Sequence, residues 1–110
     1  GLGGMNALVL KSTGQLVGIC GLLVQTVDGI EELEIGYSVL PEFWLKGFAF
    51  EAAEKCKHYA FQNRLTDTLI SIIHVDNVPS QKVALKNGMV LDKTTTYKDN
   101  PVHIFRVNQG

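Results

Sequence analysis

Apolar and polar positions alternate through residues 30–40 and sort that stretch into two faces. Leu33, Ile35, Tyr37 and Val39 fall on one side, and Glu32, Glu34, Gly36 and Ser38 on the other, the period-two pattern of a strand with one face on a core. Before it, residues 7–11 and 16–24 are apolar and strand-like, and Ser12-Thr13-Gly14-Gln15 between them has turn composition, so an antiparallel hairpin is expected. Thr26-Val27-Asp28-Gly29 forms the next turn, and Pro41-Glu42-Phe43 ends the third strand, because proline supplies no ladder donor.

The pattern becomes helical over residues 48–63, where Ala49, Ala52, Ala53, Cys56 and Ala60 recur at spacings of three and four. A stripe of such small side chains lets a helix lie close on a sheet. Glu51 with Lys55 and Glu54 with His58 mark its solvated side. Residues 68–75 are almost continuously apolar, as a strand covered on both faces would be. Asn77 then offers a cap, Pro79 a first-turn residue and Asn87-Gly88 a stop, so a second helix spans 79–87. Residues 89–97 and 102–107, joined by Lys98-Asp99-Asn100-Pro101, read as a closing hairpin. The order is β-β-β-α-β-α-β-β. This is an α+β fold: a mixed, mostly antiparallel sheet of about six strands with two helices, the central strand–helix–strand unit making one parallel pair.

The join between the third strand and the first helix is the most informative segment. A Gly47 turn there leaves amide hydrogens free at a helix N-terminus, where an anion can be held without any cationic side chain. Read alone, that turn is also an ordinary strand-to-helix connection with a glycine for tight packing.

Composition narrows the classes. At 110 residues, 45% hydrophobic and 19% charged, the chain fits one ordinary folded domain rather than a disordered or fibrous one. A net charge of -1 and the lack of a long apolar run argue against a nucleic-acid or membrane partner, and a cytoplasmic setting is expected. Cys20 and Cys56 read as reduced core thiols rather than a disulfide framework or metal pair, so no metal site is expected. His74 reads as the end of a buried strand rather than a proton shuttle.

Two motifs resemble the GNAT acetyltransferase superfamily, specifically its ribosomal-protein N-acetyltransferase-like (RimJ/RimL-like) branch. Glu34-Ile35-Gly36-Tyr37-Ser38-Val39-Leu40-Pro41-Glu42-Phe43-Trp44-Leu45-Lys46-Gly47-Phe48-Ala49 is similar to that branch's strand and acyl-CoA pyrophosphate loop. Asn77-Val78-Pro79-Ser80-Gln81-Lys82-Val83-Ala84-Leu85-Lys86-Asn87-Gly88-Met89 is similar to its second motif, a helix beside the pantetheine. The resemblance implies transfer of an acetyl group from acetyl-CoA directly to a primary amine, on a protein N-terminus or a small molecule. It implies that backbone amides of Trp44, Leu45, Lys46, Gly47, Phe48 and Ala49 hold the pyrophosphate, and that backbone at Val39 and Leu40 pairs with the pantetheine. Asn77 and Ser80 would contact the same arm, with Lys82 near the phosphates.

Such a reaction needs an amine stripped of its proton, and a carboxylate in reach serves as base. Glu34, which matches the family's glutamate on this strand, is the catalytic candidate, with Ser38 beside it on the polar face. A backbone N–H near Val39 or Leu40 would meet the oxyanion. The chain departs from the family pattern at Trp44, where Arg or Gln is frequent, at Leu45, where Gly is common, and at Ala84, where relatives carry a tyrosine acid. Tyr97 or water would then fill that last role. The family's first strand and following helices find no counterpart before Met5, so a domain shortened at its front, over 1–110, is expected, with an open sheet edge that favours a homodimer. The alternative function is a CoA-binding or protein-interaction module without catalysis.

Overall fold

A computed structural model describes residues 4–44 and 46–109, with side chains from Asn6 onward. Among them the order is β1 (Gly4–Val9), β2 (Leu16–Val27), β3 (Ile30–Val39), a 3-10 turn (Pro41–Phe43), α1 (Phe48–Gln62), β4 (Thr68–His74), α2 (Val78–Lys86), β5 (Val90–Tyr97) and β6 (Asn100–Asn108). The six strands form one sheet in the order β1-β2-β3-β4-β6-β5. All pairs are antiparallel except β3–β4, which the helical crossover α1 makes parallel. No described helix is long and apolar enough to cross a membrane.

Strand ends differ from the pattern-based reading where turn chemistry decides. β2 continues to Val27, because Asp28 and Gly29 both have positive φ, 49° and 80°, and make a two-residue turn that keeps the hairpin paired to its tip. Lys98 and Asp99, at 49° and 66°, do the same for β5 and β6, so Pro101 lies within β6 near its start. β1 lies earlier than expected, at Gly4–Val9 rather than 7–11, because Leu10 N donates to Gln15 O at 2.9 Å and closes a wider loop that takes in Lys11.

α1 packs against one face through Ala53 and Ala60, which are 1% and 0% exposed, over Leu22, Ile35 and Leu69. Methyl-sized contacts bring the helix axis close to the sheet. Its N-terminus therefore sits low beside the end of β3. α2 covers the neighbouring strip through Ala84, against Ile73, Met89 and Phe105. On the opposite face Val27, Ile70, Val102 and Ile104 form a second core that no helix covers. The curl of the sheet buries it instead: the β5–β6 hairpin reaches the β2–β3 tip, where Lys93 and Thr95 each meet Asp28 at 3.0 Å.

Candidate functional site

β3 and β4 pair at Glu34↔Ile70 and then diverge toward their C-terminal ends. Separating two strands orphans the backbone groups that faced each other, and each must find another partner. Side chains supply them. The Glu34 carboxylate accepts the amide of Ile72 at 3.0 Å, the Ser71 hydroxyl donates to Ile35 O at 2.8 Å, and the Trp44 indole donates to Val39 O at 2.7 Å. Ile35 and Val39 thus present their backbone to the gap, and strand alternation places Tyr37 between them with the same orientation.

Both helices start at this open end. α1 begins after Gly47, whose φ of 83° is a left-handed conformation that an L side chain strains to adopt. No side chain caps it, and the Gly47 carbonyl accepts Glu51 N at 3.0 Å. Among the described residues, the amides of Gly47, Phe48, Ala49 and Phe50 donate to no backbone carbonyl outside the helix. α2 is capped by Asn77, whose side chain accepts Ser80 N at 3.3 Å, and its first turn is fixed by Tyr37, whose hydroxyl donates to Ser80 O at 2.6 Å.

A cleft of about 280 Å³ lies between these starts. Its lining includes Ser38, Val39, Trp44, Gly47, Phe48, Ala49, Asn77, Ser80 and Lys82, nine of the residues singled out in sequence. Leu40 and Lys46 are not among the lining residues, and Leu45 lies outside the described residues. Leu40 has little backbone to offer there: its amide goes to Val17 O at 2.8 Å and its carbonyl accepts Phe43 N at 2.8 Å. The Trp44 amide is likewise spent, on Pro41 O at 3.2 Å. Lys46 instead lies over the Phe43 ring at 5.8 Å. Gly18 lets β2 and β3 approach beside the cleft, since a Cβ there would stand 2.2 Å from Ser38 O.

Tyr37, Phe43, Phe50, Val83 and Lys86, which sequence reasoning did not assign to the site, also line the cleft. Lys86 follows Lys82 by four on α2 and was legible at that spacing. Tyr37 was read as core because it alternates with Ile35, and it does pack there; its hydroxyl reaches past the core to α2. Burial, with Cys20 and Glu34 nearby, pushes that phenol well above its ordinary range, so it stays a neutral donor.

A second cleft, of about 240 Å³, occupies the splay itself, lined by Glu34, Gly36, Ser71, Ile72 and His74 among others. Tyr37, Asn77 and Ser80 line both clefts, which are therefore neighbours. Glu34 is 7% exposed. Its other oxygen accepts Gln25 Nε2 at 3.0 Å, and Gln25 Oε1 in turn accepts the Tyr97 hydroxyl at 2.5 Å. Burial raises the Glu34 pKa above the ordinary carboxylate value, against the two hydrogen bonds that favour the anion. Tyr97 therefore acts on Glu34 through Gln25 and lines neither cleft. Ser38 is exposed at the first cleft, four residues along the strand from Glu34.

This geometry places an uncapped helix start and two lysines in one cleft and a buried carboxylate in the cleft next to it. The family model for the acetyltransferase (GNAT) domain matches residues 2–90. A Bacillus subtilis (strain 168) protein, YkkB, is 34% identical over 95 residues, covering 86% of this chain and 55% of its own. The chain thus spans about half the length of that curated relative. Among solved structures, an acetyltransferase from Agrobacterium tumefaciens str. C58 superposes with a TM-score of 0.79 at 25% identity, over 96% of this chain and 61% of that one. The ribosomal-protein-S5-alanine acetyltransferase from Vibrio fischeri shares the fold at TM-score 0.79 and 16% identity, over 94% and 60%.

Proposed function

The chain belongs to the GNAT acetyltransferase domain family, and from that premise we propose that it binds acetyl-CoA in the first cleft and directs its acetyl group to a primary amine entering by the second. The observation that carries the reading is that Tyr37, Asn77 and Ser80 line both clefts, which sets the uncapped start of α1 in one and Glu34 in the other. The residues fit such a ligand. Amides at Gly47, Phe48 and Ala49 would meet a diphosphate at this positive helix end, with Lys82 and Lys86 on the facing helix to add charge, Lys86 over the Phe50 ring at 4.9 Å.

The thioester brings an acyl group already activated for attack, so the protein needs no nucleophile of its own. Glu34 takes the proton from the incoming ammonium, directly or through a water in the splay, and its raised pKa makes it a better base than an exposed carboxylate. The amide of Val39 faces the gap and is the oxyanion donor in this reading. Leu40, whose amide is bonded to Val17, is not. Tyr37 and Asn77 hold the first turn of α2 in register with the groove.

Titration calorimetry with acetyl-CoA is the first test; saturable heat is expected, and none at millimolar ligand would overturn the reading. An acetylation screen over small amines and peptides then addresses the acceptor. Peptides with an N-terminal alanine belong in it, given the Vibrio fischeri structure and the RimJ/RimL-like motifs. A second reading, a CoA-binding module without catalysis, is favoured by one feature: both Glu34 oxygens are already bonded. Binding without turnover across the screen would support it.

A further inference from the structure

Two thiols lie in contact beneath α1 and take no part in the groove. We propose that Cys20 and Cys56 are an oxidation site that closes to an intramolecular disulfide under hydrogen peroxide, linking β2 to α1. Their sulfurs stand 3.6 Å apart although 36 residues separate them in sequence, and both are free thiols. A disulfide needs about 2.05 Å between sulfurs, so the two must close up from van der Waals contact to bond. The small-residue packing of α1 sets this distance, because Ala53 and Ala60 flank Cys56 on the face that rests on Leu22.

The two sulfurs are unequal in a way that suits the chemistry. Cys20 is 3% exposed, and its hydrogen bond with Cys56, together with burial, pushes its pKa far up. Cys56 is half-buried, and its hydrogen bond with Cys20 brings its pKa down to about 7. Cys56 is therefore the sulfur that ionises and meets an oxidant first, and Cys20 is the resolving thiol. The Cys56 thiolate attacks one peroxide oxygen, the O–O bond breaks, and the departing hydroxide takes a proton to leave as water, giving Cys56 sulfenic acid. The Cys20 sulfur then attacks Cys56 Sγ; the S–S bond forms, the S–O bond breaks, and the hydroxyl leaves as a second water with the Cys20 proton. Two electrons pass from the sulfur pair to the peroxide, and a dithiol reductant reverses the change.

The test uses the intact chain with near-stoichiometric hydrogen peroxide, followed by intact mass and peptide mapping. Expected are the loss of two hydrogens, a linked pair of peptides holding Cys20 and Cys56, a higher melting temperature than the reduced protein, and full reversal by dithiothreitol. With C20S, dimedone should trap Cys56 as sulfenic acid. Unmodified thiols, sulfinic acid at Cys56 without a linked peptide, or only intermolecular disulfides would overturn the proposal. The mass measurement on the unsubstituted chain decides the matter even where C20S fails to fold.

Discussion

Glu34 accepts the Ile72 amide that a continuous ladder would have paired, so one side chain both seals the strand separation and stands in it as a carboxylate. Its replacement by glutamine keeps the shape. A glutamine carbonyl can accept from Ile72, and its NH₂ can face Gln25 if that amide turns over, leaving the Tyr97 hydroxyl as acceptor. E34Q should therefore fold while losing the base, with turnover down about a hundredfold to ten-thousandfold and acetyl-CoA affinity little changed; steady-state kinetics beside calorimetry checks both. At the other end of the groove, the chain's one tryptophan holds the Val39 carbonyl at 2.7 Å, a group the acyl arm would use. Binding should displace the indole and change its fluorescence. Since such a bond nets about 1 kcal/mol, W44F should bind acetyl-CoA roughly fivefold more tightly; weaker binding would show the indole to be a wall of the site instead. Glu34 was legible in the alternation of β3. Its burial was not, because the covering groups come from Gln25 and from Tyr97, 72 residues apart in sequence.

α1 and α2 meet the groove by their first turns, and local sequence carried most of that. Asn77 and Pro79 signalled the start of α2, and the structure places them at its cap and first turn. Gly47 signalled the start of α1 and is its cap residue. What pattern could not decide was which amides of the loop point outward, because Trp44 and Leu40 spend theirs on local bonds that depend on the 3-10 turn between them. Gly47 tests the cradle without touching a side chain. Among the described residues a Cβ there meets nothing within 4 Å, so the cost of G47A is that of the left-handed backbone, about 1–2 kcal/mol. Loss of melting temperature together with weaker acetyl-CoA binding is expected, whereas K82A/K86A should weaken binding about tenfold at low salt with no thermal shift. Raising the salt concentration should shrink that second difference.

Across the whole molecule, polar contacts on one face of the sheet bridge strands that are not neighbours in it. Arg106 of β6 meets Glu32 of β3 through two contacts of 2.5 and 2.8 Å, Thr68 of β4 at 3.1 Å and Asp92 of β5 at 3.2 Å. One guanidinium thus ties four strands on the helix-free face. The curl it holds lets Tyr97 reach Gln25 and Lys93 reach Asp28, and no local pattern in β5 announced it, since β5 alternates as any edge strand does. Two carboxylates on this face give stability opposite dependences on pH. Glu34 has its pKa raised by burial, so the folded state holds that proton more tightly than the unfolded chain. Its contribution is complete below the ordinary carboxylate value and is lost as pH rises through the raised one. Asp28 has its pKa lowered by hydrogen bonds from Lys93 and Thr95, so its contribution is present above the ordinary value and is lost as pH falls through the lowered one. Urea midpoints measured from acidic to neutral pH should accordingly fall on the alkaline side in the unsubstituted protein and flatten there in E34Q, while D28N should flatten only the acid limb. If E34Q keeps the alkaline decline, a group other than Glu34 is being desolvated by the curl, and the buried carboxylate is not the proton-holding element of this face.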